Sequence, residues 1–358
     1  MLRPTTKDLA RAAGVSLATV DRVLNDRTGV RDDTVKRVTE AIEAIGFIRN
    51  LSAANLARSR SYRFVFLLPR SGDQFLAQLI ARIDEASLAL TAEATQITVA
   101  QIEDDDPHQI AATLGAFDPA QVDGVAIMAP ESPQLRDAKT RLTERGIEAV
   151  TFLSGQIGAG QIGVGQIGAG QIGMGHLPTE DEVFVGIDNH AAGATAGRLM
   201  GRFSPTPGKI LVVAETLLAR DSLERRLGFD AVISRDYPHL TVLPSLETHS
   251  DPDRTARILS ASFTSHPDIT GLYVLASEAR MPLDHIPHSA RRPVIIAHER
   301  TPYTESALQS GQIAALITQD PGHLVRSAIR ILRARCDRRE VLASQEKIRI
   351  EILIRENL

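Results

Sequence analysis

From Arg63 onward the chain alternates short β-rich runs with amphipathic helical segments, and no other feature restricts its fold as tightly. Strand-like runs fall at Arg63–Leu68, Thr95–Ala100, Gly124–Met128 and Ala149–Leu153, with helical patterns at Phe75–Glu93, His108–Phe117 and Leu135–Arg145 between them. The series restarts at Phe184–Asp188. It continues through a helix at Gly193–Phe203, a strand at Ile210–Ala214, a helix at Ser222–Ser234 and strands at Thr241–Leu243, Leu272–Leu275 and Val294–Ala297. Strands joined by helical crossovers pair in parallel, so the alternation predicts α/β architecture with doubly wound sheets. Two such series in one chain predict two subdomains and a cleft between them. Ligands of such sheets bind beyond the carboxyl ends of the strands.

Polar residues just past strand ends are therefore the candidate ligand contacts. They are Ser71, Asp73, Gln74 and Phe75 after the first strand, and Asp188 and Asn189 after the fifth. Arg220, Asp221 and Arg225 follow Ile210–Ala214, Ser277 and Glu278 follow Leu272–Leu275, His298 and Glu299 follow Val294–Ala297, and Gln319 precedes the last helix. Carboxylates, an arginine and amides around one cleft suit a neutral polyhydroxylated ligand, and Phe75 offers a face for a sugar ring. Two structural readings stand beside this one. Asp188 and Asn189 can cap the next helix, and Asp221 with Arg225 can form an i,i+4 surface pair.

Two segments break the pattern. Residues 155–174 repeat GQIGA, GQIGV, GQIGA, GQIGM, a period of five that fits neither helix nor strand. Two glycines in every five residues make ordering unfavourable, so 155–176 reads as a loop insertion near the cleft mouth. Between Leu275 and Val294 the prolines Pro282 and Pro287 leave little room for a crossover helix. His285 and His288 nearby do not amount to a metal site, and no metal or cofactor is expected.

The first 62 residues differ in charge. They hold eleven Lys/Arg against seven Asp/Glu, a net +4, whereas the whole chain carries −4, so the remainder carries −8. A basic head suggests a polyanion partner. Thr5 and Asp8 form a capping-box pattern ahead of Leu9, Ala10 and Ala13, and Gly14 supplies a turn. Ser16 then caps a second helix, Leu17–Leu24, with Val20, Val23 and Leu24 facing inward. A third helix from about Asp32 to Ile45 has the stripe Val35, Val38, Ile42 and Ile45, and Gly46 ends it. Two short helices around a Gly turn make a helix-turn-helix, whose second helix enters the major groove by its N-terminal residues. Here those are Leu17, Ala18, Asp21 and Arg22. Arg22 can donate to guanine O6 and N7.

The run Lys7-Asp8-Leu9-Ala10, Ala13-Gly14-Val15-Ser16, Thr19-Val20, Arg22-Val23-Leu24-Asn25, then Gly46-Phe47-Ile48, Asn50, Ala53 and Leu56-Ala57 resembles the head of the LacI/GalR family of bacterial regulators. The resemblance implies a helix-turn-helix domain over 1–48, a hinge helix within 49–61, and an effector-binding and dimerisation domain over 62–358. That domain would be of the type I periplasmic-binding-protein kind, with one subdomain from about 62–188 and 320–342 and the other from about 189–319 and 343–358. The implied DNA contacts are Thr5, Ser16, Leu17, Ala18, Thr19, Asp21, Arg22, Asn25, Arg31, Asn50, Ala53 and Leu56. Leu56 would be the apolar wedge in a minor-groove step. Asp21 stands where the family usually has a small hydroxyl residue. Asp188, Arg225, Ser277, Glu299 and Gln319 match positions that hold the effector, joined by Asp73, Phe75, Asn189, Arg220 and Asp221 as candidates.

The expected protein is thus a sequence-specific transcriptional repressor. It acts as a homodimer on operator DNA under control of a small molecule, a sugar or polyol. An effector-unresponsive regulator and a small-molecule-binding protein without a DNA role are the alternatives. No G-x-S-x-G elbow, HExxH or P-loop points to an enzyme. The N-terminus lacks a secretory apolar region and no run approaches the roughly 20 apolar residues of a membrane span, so a cytoplasmic protein is expected. The single cysteine, Cys336, excludes an intrachain disulfide.

Overall fold

The computed structural model describes residues 4–24, 29–45, 47, 61–103, 106–153, 183–217, 219–286, 292–341 and 343–358. The pentapeptide repeat, and the hinge up to residue 60, lie outside the described residues. The chain divides into two compact units, one ending at Ser61 and one starting at Tyr62.

Among the described residues, the first unit holds three helices, α1 Thr6–Ala13, α2 Leu17–Leu24 and α3 Asp32–Ile45. Thr5 caps α1. Its hydroxyl accepts from Asp8 N at 3.3 Å while Thr5 N donates to Asp8 Oδ2 at 2.9 Å. Gly14 ends α1 in the left-handed region at φ 62°, where a side chain would be strained. Ser16 Oγ accepts from Thr19 N at 3.1 Å at the start of α2. Leu9, Ala10, Ala13, Val20, Val38, Ala41 and Phe47 form the core, with Val23, Leu24, Ile42 and Ile45 packed half-buried against it. Val35 departs from the expected stripe. It is 38% exposed, because α3 turns the Val38–Ala41 edge inward instead.

The second unit has two sheets. In the first, the strands β1 Tyr62–Pro69, β2 Thr95–Ile102, β3 Gly124–Ile127, β4 Glu148–Phe152 and β5 Phe184–Val185 are all parallel, in the order β2-β1-β3-β4-β5. The helices α4 Gln74–Leu90, α5 Pro107–Gly115 and α6 Pro133–Glu144 connect its strands. In the second, β6 Gly208–Ala214, β7 Leu240–Val242, β8 Leu246–Glu247, β9 Ile269–Val274, β10 Val294–His298, β11 Ala315–Thr318 and β12 Glu351–Leu353 run in the order β12-β11-β10-β9-β6-β7. There β8 extends the pairing of β6, and among the described strands only β12 is antiparallel. Its helices are α7 Asn189–Phe203, α8 Arg220–Asp236, α9 Pro252–Ser265, α10 Arg280–Asp284 and α11 Pro302–Gln309. Helix α12, Pro321–Cys336, packs on α4 and on β4 of the first sheet. A short α13, Ala343–Glu346, follows it. The segment after Leu275 does contain a helix, but α10 is only five residues long and includes Pro282.

Both sheets reverse direction at their first strand, β1 against β3 and β6 against β9. That reversal opens a crevice at the carboxyl ends, the usual place for a ligand in this architecture. Buried apolar strands such as Phe64–Leu68 and Ile210–Ala214 are what helix-covered parallel sheets require.

Candidate functional site

On the first unit, α2 presents Leu17, Ala18, Asp21 and Arg22 to solvent, with Leu17 47% exposed. Thr5, Ser16 and Arg31 are also exposed, and Thr19 is half-buried with its hydroxyl 2.8 Å from Ser16 Oγ. The inward face is spent on the core through Val20, so the outward face is available to a partner. Asn25, Asn50, Ala53 and Leu56 lie outside the described residues.

On the second unit, the chemistry concentrates on Arg225, in α8. Its position follows from two glycines. A Cβ on Gly193 of α7 would lie 1.9 Å from Arg225 O, and one on Gly228 of α8 would lie 2.0 Å from His190 O. The two helices therefore cross backbone to backbone, which brings the buried guanidinium over the strand ends. Nε donates to Asn189 Oδ1 at 2.9 Å, Nη1 to Leu275 O at 2.8 Å and Nη2 to Glu299 Oε1 at 3.3 Å. Gln319 Nε2 donates to the same Glu299 oxygen at 3.0 Å. Residues from α7, α8 and the ends of β9, β10 and β11 thus meet in one network.

Glu299 is 1% exposed and sits in the left-handed backbone region, at φ 62°. Burial raises its carboxyl from the ordinary 4.5 to about 7. Arg225 and the Gln319 amide oppose that rise, and the charges of Asp73 and Asp221 add to it. Two acceptors of the network, Glu299 Oε2 and Gln319 Oε1, are buried without a partner. A buried acceptor left unpaired costs about 1–3 kcal/mol, so these two atoms leave the network short of donors.

The other candidates are distributed around this centre. Asp188 caps α7, its Oδ1 accepting from Ala191 N at 2.8 Å. Asn189 then begins α7 and turns to Arg225. Arg220 is exposed and held by Glu224 at 2.5 Å. Asp221 does not pair with Arg225, so the i,i+4 surface-pair reading fails: Arg225 points inward to Glu299 while Asp221 is half-buried. Asp73 caps α4 through Phe75 N at 2.7 Å, and its other oxygen accepts from Ser277 Oγ across the cleft. Phe75 offers no stacking face. It is 3% exposed and packed into the main core among Leu76, Leu79 and their neighbours. His298 also turns into the interior, its Nε2 2.8 Å from Tyr273 OH, and burial pushes it well below its usual pKa. His285 bonds Met281 O through Nδ1, while His288 lies outside the described residues.

Two residues escaped the sequence reading. Glu224, inside α8, is buried, and burial raises it from 4.5 to about 7 against the pull of Arg220. Its position at i+4 from Arg220 was the available signal. Glu131, in the loop after β3, pairs with Arg136 at 3.1 Å and approaches Lys139 at 4.0 Å. It follows the carboxyl end of β3, where the sequence shows only a Pro-Glu-Ser-Pro turn.

Residues 64–340 match the family described as "Periplasmic binding protein domain", and residues 5–50 match "Bacterial regulatory proteins, lacI family". The chain belongs to the periplasmic binding protein domain family and carries a lacI-family head. Among curated relatives, the HTH-type transcriptional regulator RegA of Clostridium saccharobutylicum is 42% identical over 81 residues, 23% of this chain and 24% of RegA. The catabolite control protein A of Streptococcus mutans is 32% identical over 124 residues, 35% of this chain and 36% of that protein. The alignments thus span about a quarter to a third of these relatives. A solute-binding protein of an ABC transporter from Burkholderia graminis, solved with D-arabinose, has the same fold, with TM-score 0.68 at 17% identity. The match covers 83% of this chain and 96% of that one. The lacI-family match includes α2 and its exposed face, and the Arg225–Glu299 network lies at the carboxyl ends of the second sheet of the binding-protein body.

Proposed function

We propose that this chain is a sequence-specific DNA-binding transcriptional regulator, a repressor, whose operator affinity is set by a small polyhydroxylated effector, a sugar or polyol. It works as a homodimer, because one head reads one half-site and paired heads read a palindrome. The observation that carries the effector half is the pair of buried unpartnered acceptors, Glu299 Oε2 and Gln319 Oε1, beside a buried arginine at the strand ends. Sugar hydroxyls donate to such oxygens and accept from the remaining guanidinium N–H groups. The observation that carries the DNA half is a lacI-type head whose α2 turns Leu17, Ala18, Asp21 and Arg22 outward.

Among the described residues no helix is long and apolar enough to cross a membrane, and no group of His, Cys, Asp and Glu is placed to hold a metal ion. A cytoplasmic location and a non-enzymatic role belong to the same proposal. The mechanism is linkage: an effector that prefers one lobe arrangement shifts the dimer between DNA-binding and released forms, and DNA shifts effector affinity by the same factor. The test has two steps. Selection from random duplexes by the full-length protein should yield a palindrome. A thermal-shift panel of pentoses, hexoses and polyols should yield a ligand that changes affinity for it. Selection without any enriched sequence would overturn the regulator reading.

A further inference from the structure

The two lobes are joined at one edge of the cleft by contacts that involve no effector. Helix α4 of the first lobe starts at Gln74, and α11 of the second lobe starts at Pro302. The first N–H groups of a helix have no partner inside it. Here each lobe supplies the missing acceptor to the other. Glu278 Oε2, from the β9–α10 turn, accepts from Gln74 N at 3.3 Å. Gln74 Oε1 accepts in return from Tyr303 N, in the first turn of α11, at 3.2 Å. Ser277 Oγ adds a third link by donating to Asp73 Oδ2.

The partners are themselves held in place. Glu278 Oε1 accepts from Arg280 N at 2.9 Å, and Tyr303 OH donates to Asp284 Oδ1 at 2.5 Å. Asp73 keeps its own cap on Phe75 N whether or not the lobes meet. Opening the cleft would therefore break three cross-lobe bonds together and leave two helix starts to water, while both lobes stay intact.

We propose that Asp73, Gln74, Ser277, Glu278 and Tyr303 form a reciprocal-capping clasp that closes the lobes in the absence of effector. The proposal rests on the effector-cleft reading, because it assigns regulation to that same cleft. Asp73 and Ser277, positioned by sequence as effector contacts, are engaged with each other. All five residues are half-buried, so water competes for every bond and each contributes only modestly. A weak clasp is what a switch needs, since a ligand can move a two-state equilibrium only by its differential affinity for the two states.

The experiment measures lobe separation without effector. Spin labels go on Ala81→Cys of α4 and Ser260→Cys of α9, both exposed positions, in full-length Cys336→Ser protein. The parent should show one short distance. Gln74→Ala/Glu278→Ala should add a longer one, with about a tenfold rise in the open-to-closed ratio, the effect of losing one or two net hydrogen bonds. Glu278→Gln, which keeps one acceptor oxygen for Gln74 N but gives up either that bond or the one from Arg280 N, should shift the ratio less than the double variant does. An unchanged distribution in the double variant, or a parent already mostly open, would overturn the clasp. Unaltered melting temperature in the variants separates clasp loss from unfolding. The same samples with 10 mM D-arabinose, D-ribose, D-glucose or sorbitol test the cleft reading separately. Silence from every sugar there would count against the effector and leave the effector-free distances to judge the clasp.

Discussion

The head and the cleft handle charge in opposite ways. Arg22 and Asp21 of α2 sit in solvent on a helix whose other face is core, while Arg225 and Glu299 are 4% and 1% exposed and bonded to each other. Under the proposed function a face that reads a long polymer is presented in advance, and exposed charges carry little stability. A pocket for a small guest must hide its charges, and hiding them strains the free protein. Mutations should therefore separate cleanly: at the cleft they should change stability and its pH dependence, and at α2 they should change only recognition.

The largest effect is expected for Arg225→Leu, which leaves Glu299 buried without its guanidinium. Removing one partner of a buried pair costs about 3–5 kcal/mol. The loss in urea unfolding should be large at pH 8 and smaller at pH 5, where Glu299 takes up a proton. Equal losses at both pH values would mean the pair does not govern the site. Glu299→Gln comes next. The folded protein holds the Glu299 proton to about pH 7, whereas the unfolded chain releases it near 4.5. Stability therefore falls as pH rises through that window and is flat above it. The contribution is at most about 3 kcal/mol. The variant should lose part of this slope, with a remainder from Glu224, which shifts in the same direction. Buried His298, held well below its ordinary pKa, pulls the other way in both proteins, so the comparison of variant with wild type is decisive: identical slopes between pH 5 and 7 would contradict the burial of the Glu299 carboxyl.

How much of this was legible in the sequence follows the same division. In the head, local rules suffice: Thr5 with Asp8, Gly14, and the helical spacing of Leu9, Ala10 and Ala13 and then of Val20, Val23 and Leu24 are short-range signals, and each helix lies where they put it. In the body, strand–helix alternation and strand-end polarity located Arg225, Glu299 and Gln319, because topology alone fixes which ends face the crevice. What stayed hidden was long-range. Phe75 looks available next to Asp73 in sequence, but the turn of α4 delivers it to the core. Asp73 and Ser277 are 204 residues apart, and nothing local says that they meet. Glu224 looks like an ordinary helix-surface acid until α7 covers α8 at Gly193 and Gly228.

Arg22→Ala sharpens the contrast from the other side. Its side chain takes no part in the core, so melting should be unchanged. Losing a bidentate base contact should weaken binding to the selected operator by about 1–3 kcal/mol relative to random duplex, measured by fluorescence anisotropy at fixed salt. A uniform loss on both duplexes would make Arg22 a phosphate contact instead.

The smallest expected change is Thr5→Ala, and it probes where the contrast should blur. Thr5 is exposed like the reading face, yet it closes the capping box of α1, and its hydrogen bonds hold the Asp8 carboxyl below the usual carboxylate range. An N-cap of this kind contributes about 1 kcal/mol. The variant should show faster amide exchange at Asp8, in the first turn of α1, with little change in the body. Thr5→Ser, which keeps the hydroxyl, should leave that exchange at the parent rate. If Ala and Ser variants exchange alike but lose operator affinity alike, the Thr5 methyl serves the DNA surface and the cap is dispensable. Stability and recognition would then be separate at this residue too.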